Sequence, residues 1–329
     1  MKKLLTLILT ISLLTCFLVS CGKEEIKGNV NLVSEATHDA VVLRMVKGEI
    51  DIAILPEPKA TAAIIQAKQQ GFNYSIKLNI SDEWDKISDS GLSMGCIVVN
   101  NSLIQKNEKG LNDFLASYKS SIEYIGNQDN HDSAAEMIVA AGIIPKLPIA
   151  KSALNNLYGA IVYKDGKDMK NTLVDFYDAI GQEKPSNDFY YIPKSNSTTS
   201  SQDKIVIGVM NGPTGMGMAK LMSDKNANYE FRMYSDPSLA TADLAKGDID
   251  MACLPTNTAA TLYTKGNGIK VASINCLGSL YVVVKEGVDV TSVESLIDKT
   301  VYYGVPNSTT EPIISYILKK NNIEVNSDK

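Results

Sequence analysis

Lys47-Gly-Glu-Ile-Asp-Ile-Ala-Ile-Leu-Pro56 returns far along the 329-residue chain as Lys246-Gly-Asp-Ile-Asp-Met-Ala-Cys-Leu-Pro255. The copies differ only as Glu49/Asp248, Ile52/Met251 and Ile54/Cys253. In each, Lys-Gly ends a helix, and a continuous apolar run follows that suits a strand buried on both faces and stopped by Pro. The distance between the copies rules out a short tandem repeat. It predicts two lobes built on one plan, and two lobes facing each other make a cleft suited to a small molecule.

The N-terminus speaks to compartment. Met1-Lys2-Lys3 is basic, and Leu4 to Phe17 is apolar but too short to cross a bilayer as a mature helix. Leu18-Val19-Ser20-Cys21 follows where signal-peptide cleavage is expected, and it resembles the bacterial lipobox, whose Cys is lipidated. The alternatives are an ordinary signal peptide with an incidental Cys, or a membrane anchor. Gly22–Gly28 then reads as a tether. The formal net charge of -5, with lysines dispersed along the chain, argues against nucleic acid as a partner. Of five cysteines, Cys16 leaves with the signal and Cys21 takes lipid. Cys96, Cys253 and Cys276 remain, with no CxxC pair, so neither a disulfide framework nor a Cys-based zinc site is expected. Cys96 and Cys253 read as small core residues.

From Val30 the chain alternates strand and helix in the βαβ rhythm of a parallel sheet. Strands are predicted at Val30–Val33, Ile50–Leu55, Ile76–Ile80 and Cys96–Val99. Helices are predicted at His38–Val46, Lys59–Gln70, Asn112–Ile125, Ser133–Ala140 and Asp168–Ile180. Lys194–Asp203 is a Ser/Thr-rich linker. A second series follows, with strands at Ile205–Val209, Tyr229–Met233, Ile249–Leu254, Val271–Ile274, Leu280–Val284 and Thr300–Tyr303. Its helices are Met218–Ser223, Leu239–Ala245, one from Asn257, Val293–Leu296 and Glu311–Lys320. The series ends on a helix where a strand is due, and it begins at Val30 on a strand with no helix before it. The two loose ends fit each other.

No enzyme motif is complete. There is no G-x-S-x-G, and the glycines of Gly212–Gly217 complete neither a P-loop nor G-x-G-x-x-G. The two histidines, His38 and His131, lie outside any metal-ligand spacing and read as surface or helix-edge residues, so no metal and no cofactor is expected. What remains is a set of helix starts directly after strands: Gly212-Pro-Thr214-Gly215, Thr256-Asn257, Asn307-Ser308-Thr309 and Glu57-Pro58. Each is either a simple N-cap or a donor to a ligand at the carboxyl ends of the strands. Several such turns on two facing lobes point to a ligand cleft. The two arginines, Arg44 and Arg232, lie away from these turns, so an anionic group would be held by helix ends, hydroxyls or Lys rather than by a guanidinium fork. Trp84, the single tryptophan, either stacks on a ring-bearing ligand or packs under a loop.

Lys204–Lys285, with Ile-Val-Ile-Gly-Val, Gly-Pro-Thr-Gly-Met-Gly, Lys-Gly-Asp-Ile-Asp-Met-Ala and Leu-Gly-Ser-Leu-Tyr-Val-Val, resembles the start of ABC-transporter substrate-binding proteins. The group it is most similar to takes sulfonates, nitrate, taurine and thiamine precursors. Lys-Gly-Glu-Ile-Asp-Ile-Ala-Ile-Leu-Pro-Glu-Pro and Met94-Gly-Cys-Ile-Val-Val99 resemble that family's second half. The resemblance implies an α/β, two-lobed type II periplasmic-binding fold with two crossings, near Asn275–Leu280 and Gly91–Cys96, that close over a small-molecule ligand and deliver it to an ABC permease. It implies no chemistry. The order of the halves is reversed, so the chain reads as circularly permuted or as a segment cut from a tandem duplication, with its loose ends docking within one chain or between two chains as a swapped dimer. On this reading residues 1–21 are the signal ending at the lipidated Cys21, and 22–193 are the family's second half. Residues 194–203 are the linker, 204–284 the core of one lobe, and 285–329 the start of the other. Expected ligand contacts are Gly212, Thr214, Gly215, Thr256, Asn257, Ser308, Thr309, Glu57 and Trp84, with Gly278 and Met94 at the hinge. Competing readings are a cofactor-biosynthesis enzyme of the same fold, a non-transport sensor or adhesion lipoprotein, and a rearranged product without function.

Overall fold

The computed structural model describes residues 25–193, 197–306 and 308–327, so the leader and Cys21 lie outside it. The chain runs through β1 (Gly28–Glu35), α1 (His38–Val46), β2 (Ile52–Pro56), α2 (Lys59–Gln69), β3 (Tyr74–Asn79) and the short α3 (Ile80–Asp85). It then passes to β4 (Ser93–Asn100), α4 (Asn101–Gly126), α5 (His131–Ala140), α6 (Leu147–Asn156), β5 (Ile161–Lys164) and α7 (Gly166–Ala179). Next come β6 (Ile205–Met210), the short α8 (Pro213–Met216) and α9 (Ala219–Ser223), β7 (Tyr229–Tyr234), α10 (Pro237–Lys246), β8 (Met251–Pro255), α11 (Thr256–Thr264) and β9 (Ile269–Leu277). The last stretch holds β10 (Leu280–Lys285), β11 (Thr300–Gly304), α12 (Thr310–Lys320) and β12 (Ile323–Ser327).

The twin segments become β2 and β8, and each sits inside its own six-stranded sheet. The first lobe's sheet has the order β12-β1-β11-β2-β10-β3, and the second lobe's has β5-β9-β4-β8-β6-β7. The twins have matching surroundings. β2 pairs parallel with β11 and antiparallel with β10, while β8 pairs parallel with β6 and antiparallel with β4. Read outward from the twins, the two sheets share one five-strand order, and β12 and β5 are added at opposite edges. This is a two-lobed α/β architecture with one six-stranded mixed sheet in each lobe.

Local chemistry explains the repeat. Gly48 and Gly247 take φ of +71° and +81°, the left-handed region that lets a helix end and the chain turn back at once. The apolar run that follows is buried from Ile52 to Leu55 and from Met251 to Leu254. In β2, Ile52 and Ile54 join the large core while Ala53 and Leu55 pack on the opposite face under α1 and α2. A strand covered on both faces cannot alternate polar and apolar residues, hence the continuous run. Each Ile or Leu removed from water there contributes about 1.5–3 kcal/mol.

Some elements depart from the sequence reading. The helix expected at Asn112–Ile125 begins at Asn101 and bends at Asn107, whose φ/ψ of -151°/51° leave its side chain to accept from Gly110 N. The Ser/Thr stretch is tied to that bend: Lys109 N donates to Thr199 O at 2.9 Å and Ser201 N to Asn107 Oδ1 at 3.1 Å. The helix α6, started by Pro148, and the edge strand β5 were not expected.

The two ends meet within one chain. β11 lies between β1 and β2, and β12 pairs parallel with β1 from Gly28↔Ile323 to Leu32↔Ser327. Lys27 N donates to Asn322 O at 2.8 Å, and Ile323 is buried. Removing Asn322–Lys329 is expected to cost about 2–4 kcal/mol, from the loss of one buried Ile and one edge pairing. Urea unfolding measures this, and an unchanged midpoint would show that β12 adds nothing.

Candidate ligand-binding cleft

Two short segments join the lobes. One runs from α3 to β4, and the other is Gly278-Ser279 between β9 and β10. They are bonded to each other, Gly278 N to Leu92 O at 2.7 Å. Gly278 has φ +75°, and a Cβ there would lie 1.5 Å from Ser81 Oγ, so this crossing has room for no side chain. Gly278-Ser279 falls within the stretch expected at Asn275–Leu280, while the crossing from α3 to β4 begins before the expected Gly91–Cys96 and overlaps it only at Gly91-Leu92.

Above the crossings lies a cavity of about 690 Å3. The first lobe supplies Ala36–Asp39 from the β1–α1 turn, Pro56 and Lys59 from β2–α2, and Val305–Pro306 and Ser308–Thr310 from β11–α12. The second lobe supplies Pro213-Thr214, Ser235–Pro237 from β7–α10, and Pro255 with Asn257-Thr258 from β8–α11. Met94, Ser279 and Leu280 form the floor. Six strand-to-helix turns thus converge, three from each lobe, and every wall is made of strand carboxyl ends and helix starts. The starts of α1 and α10 are closed by Thr37, which accepts from Ala40 N, and by Asp236, which accepts from Ser238 N. Those of α11 and α12 carry no side-chain cap, leaving amide N–H groups and the positive ends of two helix dipoles at the cavity.

Charges of both signs reach the cavity. Lys59 pairs with Asp39 at 2.5 Å. The backbone and hydroxyl of Ser238 hold the Asp236 carboxyl below its ordinary range. Burial, reinforced by Lys59 and opposed by Asp39, pushes the His38 imidazole below its usual pKa. His38 Nδ1 is buried and makes no hydrogen bond. Neither arginine lines the cavity. Arg44 pairs with Glu35 and lies 4.5 Å over the Tyr302 ring, and Arg232 pairs with Glu230.

Of the residues singled out from sequence, Thr214, Asn257, Ser308, Thr309 and Met94 line the cavity. The others do not. Thr256 is fully buried, its hydroxyl 3.1 Å from Ser93 Oγ. Gly215 is packed inside, where a Cβ would meet Met210 O at 1.9 Å. Gly212 faces Pro58, whose Cδ would lie 3.6 Å from an added Cβ. Gly278 borders a smaller cavity of about 190 Å3 at the crossings. Glu57 turns away and is 1 % exposed. Trp84 is not a stacking platform: it is fully buried in α3, donates Nε1–H to Ser90 O at 2.6 Å, and lies against Phe176 and Tyr316. Sequence reasoning missed the turns at Ala36–Asp39 and Ser235–Pro237, although Thr37 and Asp236-Pro237 are N-terminal helix signals directly after strands. His38, expected at a surface or helix edge, lines the cavity.

Among the described residues no group of three or more His, Cys, Asp or Glu side chains could hold a metal ion, and no helix is long and apolar enough to cross a membrane. Cys96, Cys253 and Cys276 are buried and unpaired. Burial pushes the Cys253 and Cys276 thiols up to about 12, as suits inert core residues.

No family model and no curated protein sequence matches the chain. Several solved structures are similar in shape. An ancestral arginine-binding protein bound to arginine shares 13% identity over 90% of this chain and 95% of its own, with a TM-score of 0.31. Substrate binding domain 2 of Lactococcus lactis GlnP, in an open conformation, shares 8% over 91% and 92%, with a TM-score of 0.31. An amino acid ABC transporter substrate-binding protein from Streptococcus pneumoniae bound to L-arginine shares 9% over 90% and 89%, with a TM-score of 0.31. At these values the likeness assigns no ligand to this chain.

The placement of Trp84 makes a direct prediction. Trp84→Ala is expected to lower stability by about 3–5 kcal/mol, the range for emptying a buried aromatic site. Chemical denaturation measures the loss, and a variant as stable as the parent would place Trp84 outside the core.

Proposed function

We propose that the chain is a solute-binding protein that captures a small polar molecule between its lobes and passes it to a membrane permease of the ABC type. The convergence of six strand-to-helix turns on one inter-lobe cavity carries this reading. Binding is its product: the cavity offers hydroxyls, amides and isolated charges, and the motifs of nucleophilic or metal-assisted chemistry are incomplete in the sequence. The resemblance of the Lys204–Lys285, Lys47–Pro58 and Met94–Val99 segments to substrate-binding proteins supports the same reading.

The ligand class follows from the lining. Asp39 and Asp236 accept, Lys59 donates, and Thr214, Ser235, Ser308 and Thr309 do either. The uncapped starts of α11 and α12 suit an anionic group. A small molecule bearing both an anionic and a donor group fits this set, held without an arginine fork. The finer parts of the reading are lipid attachment at Cys21 on the outer face of the cell membrane and an ancestral order in which residues 204–329 preceded 22–193. The five-strand order shared by the two lobes supports the second.

Thr214→Ala and Thr309→Ala, one on each wall, are each expected to weaken binding about tenfold or less while leaving the unfolding midpoint in place. Mass spectrometry of what co-purifies with the chain lacking Met1–Cys21 identifies the ligand, and calorimetry with that compound reads the two variants. Unchanged affinity in both would remove these turns from the site, and turnover of the compound would replace the binding reading with an enzymatic one. Cys21→Ala is expected to move the protein from the membrane to the soluble fraction. Retention on the membrane would exclude the lipid anchor.

A further inference from the structure

Beside the Gly278-Ser279 crossing, where Glu57 N donates to Ser279 O at 2.9 Å, a carboxylate is buried without a cation. Glu57 is 1 % exposed and belongs to the first lobe. Its Oε1 accepts from Thr61 Oγ1 at 2.8 Å and from Asn156 Nδ2 at 2.5 Å, and its Oε2 accepts from Thr61 N at 3.3 Å. Thr61 is its neighbour on α2, but Asn156 comes from the other lobe. It is the last residue of α6, which packs on α5 and leads into β5 at the edge of the second sheet. Three more bonds cross at the same place: Asn156 Nδ2 also donates to Thr61 Oγ1 at 3.2 Å, Thr61 Oγ1 lies 3.3 Å from Ser152 Oγ, and Tyr281 Oη donates to Asn156 O at 2.5 Å.

All three donors to the carboxylate are neutral. The charged groups on the elements around it are engaged elsewhere: Lys59 with Asp39, Lys151 with Asp132 and Lys285 with Asp51. Burial raises the pKa of the Tyr281 phenol, and Glu57, then Cys276 and Asp82, add to it. A buried carboxylate costs free energy unless its hydrogen bonds are complete, so the loss of one donor favours any movement that admits water. The donor across the lobe boundary is the one that separation of the lobes would remove.

We propose that Glu57 and Asn156 form a latch beside the hinge, whose making and breaking sets the balance between closed and open lobes. The latch rests on the reading of the cavity as one that opens and closes, and it needs no knowledge of the ligand. Burial holds the Glu57 carboxyl above its ordinary range while the latch is made, against the hydrogen bonds from Asn156 and Thr61. Hydration on opening would return it toward that range. The closed form therefore binds the proton more tightly, and closure weakens as pH rises through the Glu57 pKa.

The test uses the ligand-free chain with Leu43→Cys and Leu239→Cys, exposed sites on α1 and α10, labelled for distance measurement by energy transfer. The native cysteines of the described chain are buried, which directs label to the new sites. Asn156→Ala is expected to shift the closed-to-open ratio about tenfold toward open, the scale of a hydrogen bond to a buried charge. Glu57→Gln, which keeps the acceptor and removes the charge, is expected to shift it toward closed and to abolish the pH dependence. A purely structural role would lower stability in both variants and move the two ratios alike. If the native chain opens but neither variant moves the ratio, or both move it the same way, the latch is wrong and the binding cleft stands. If the native chain shows a single fixed distance with and without its co-purifying compound, both the latch and the opening cleft are overturned.

Discussion

Each lobe is completed by a strand that arrives from the other lobe, and the rest of the structure depends on that exchange. The chain leaves the second sheet at Leu277 and, two residues on, lies antiparallel against β2, with Leu280 opposite Pro56. It leaves the first lobe after α3 and enters antiparallel to β8, with Gly95 opposite Pro255. The proline that ends each twin strand thus meets the start of the strand that has just crossed. A slip of one residue in either pairing would exchange the side chains of the arriving strand between its two differently packed faces, so register is specified on both sides. Because the crossings are short and bonded to each other, the two registers together fix how the lobes face one another.

That geometry explains why polar chemistry collects in one place. Strands buried on both faces have no room for it. It falls instead to the turns at their carboxyl ends, which a rigid scaffold holds in position. Three turns from each lobe line the one cavity because each lobe repeats the strand order around its twin. The crossing strands form the floor, with Met94, Ser279 and Leu280 the residues they present.

Much of this was legible in the sequence. The twin segments carried the pairing of the lobes, since a continuous apolar run between Lys-Gly and Pro has few other uses. The lining residues Thr214, Asn257, Ser308 and Thr309 could be named because small hydroxyl and amide residues follow strands directly. The same pattern cannot tell a residue facing the cavity from one turned behind it. Thr256 and Asn257 are adjacent, yet the first bonds Ser93 in the core and the second lines the cleft. Glu57 took the opposite direction from Pro56 for a similar reason: which way a turn residue points depends on partners distant in sequence, here Asn156. Trp84 lay beside a crossing in sequence, but its neighbours Phe176 and Tyr316 come from helices that local pattern could not bring together. Thr37 and Asp236 were visible as caps, and their place in the cleft follows only from the sheet order.

The position of β11 has a consequence for how the molecule is made. It is the central parallel strand between β1 and β2, yet it lies near the end of the chain, so Asn31 waits for Thr300 and Ala53 for Tyr302. During synthesis the second sheet has all six of its strands before the first can close. Until then two largely apolar strands stand with open edges. Such long-range pairing is slow and prone to association. The first lobe therefore forms after the second and as a unit, once Thr300–Gly304 has been made, and the cleft cannot exist before then.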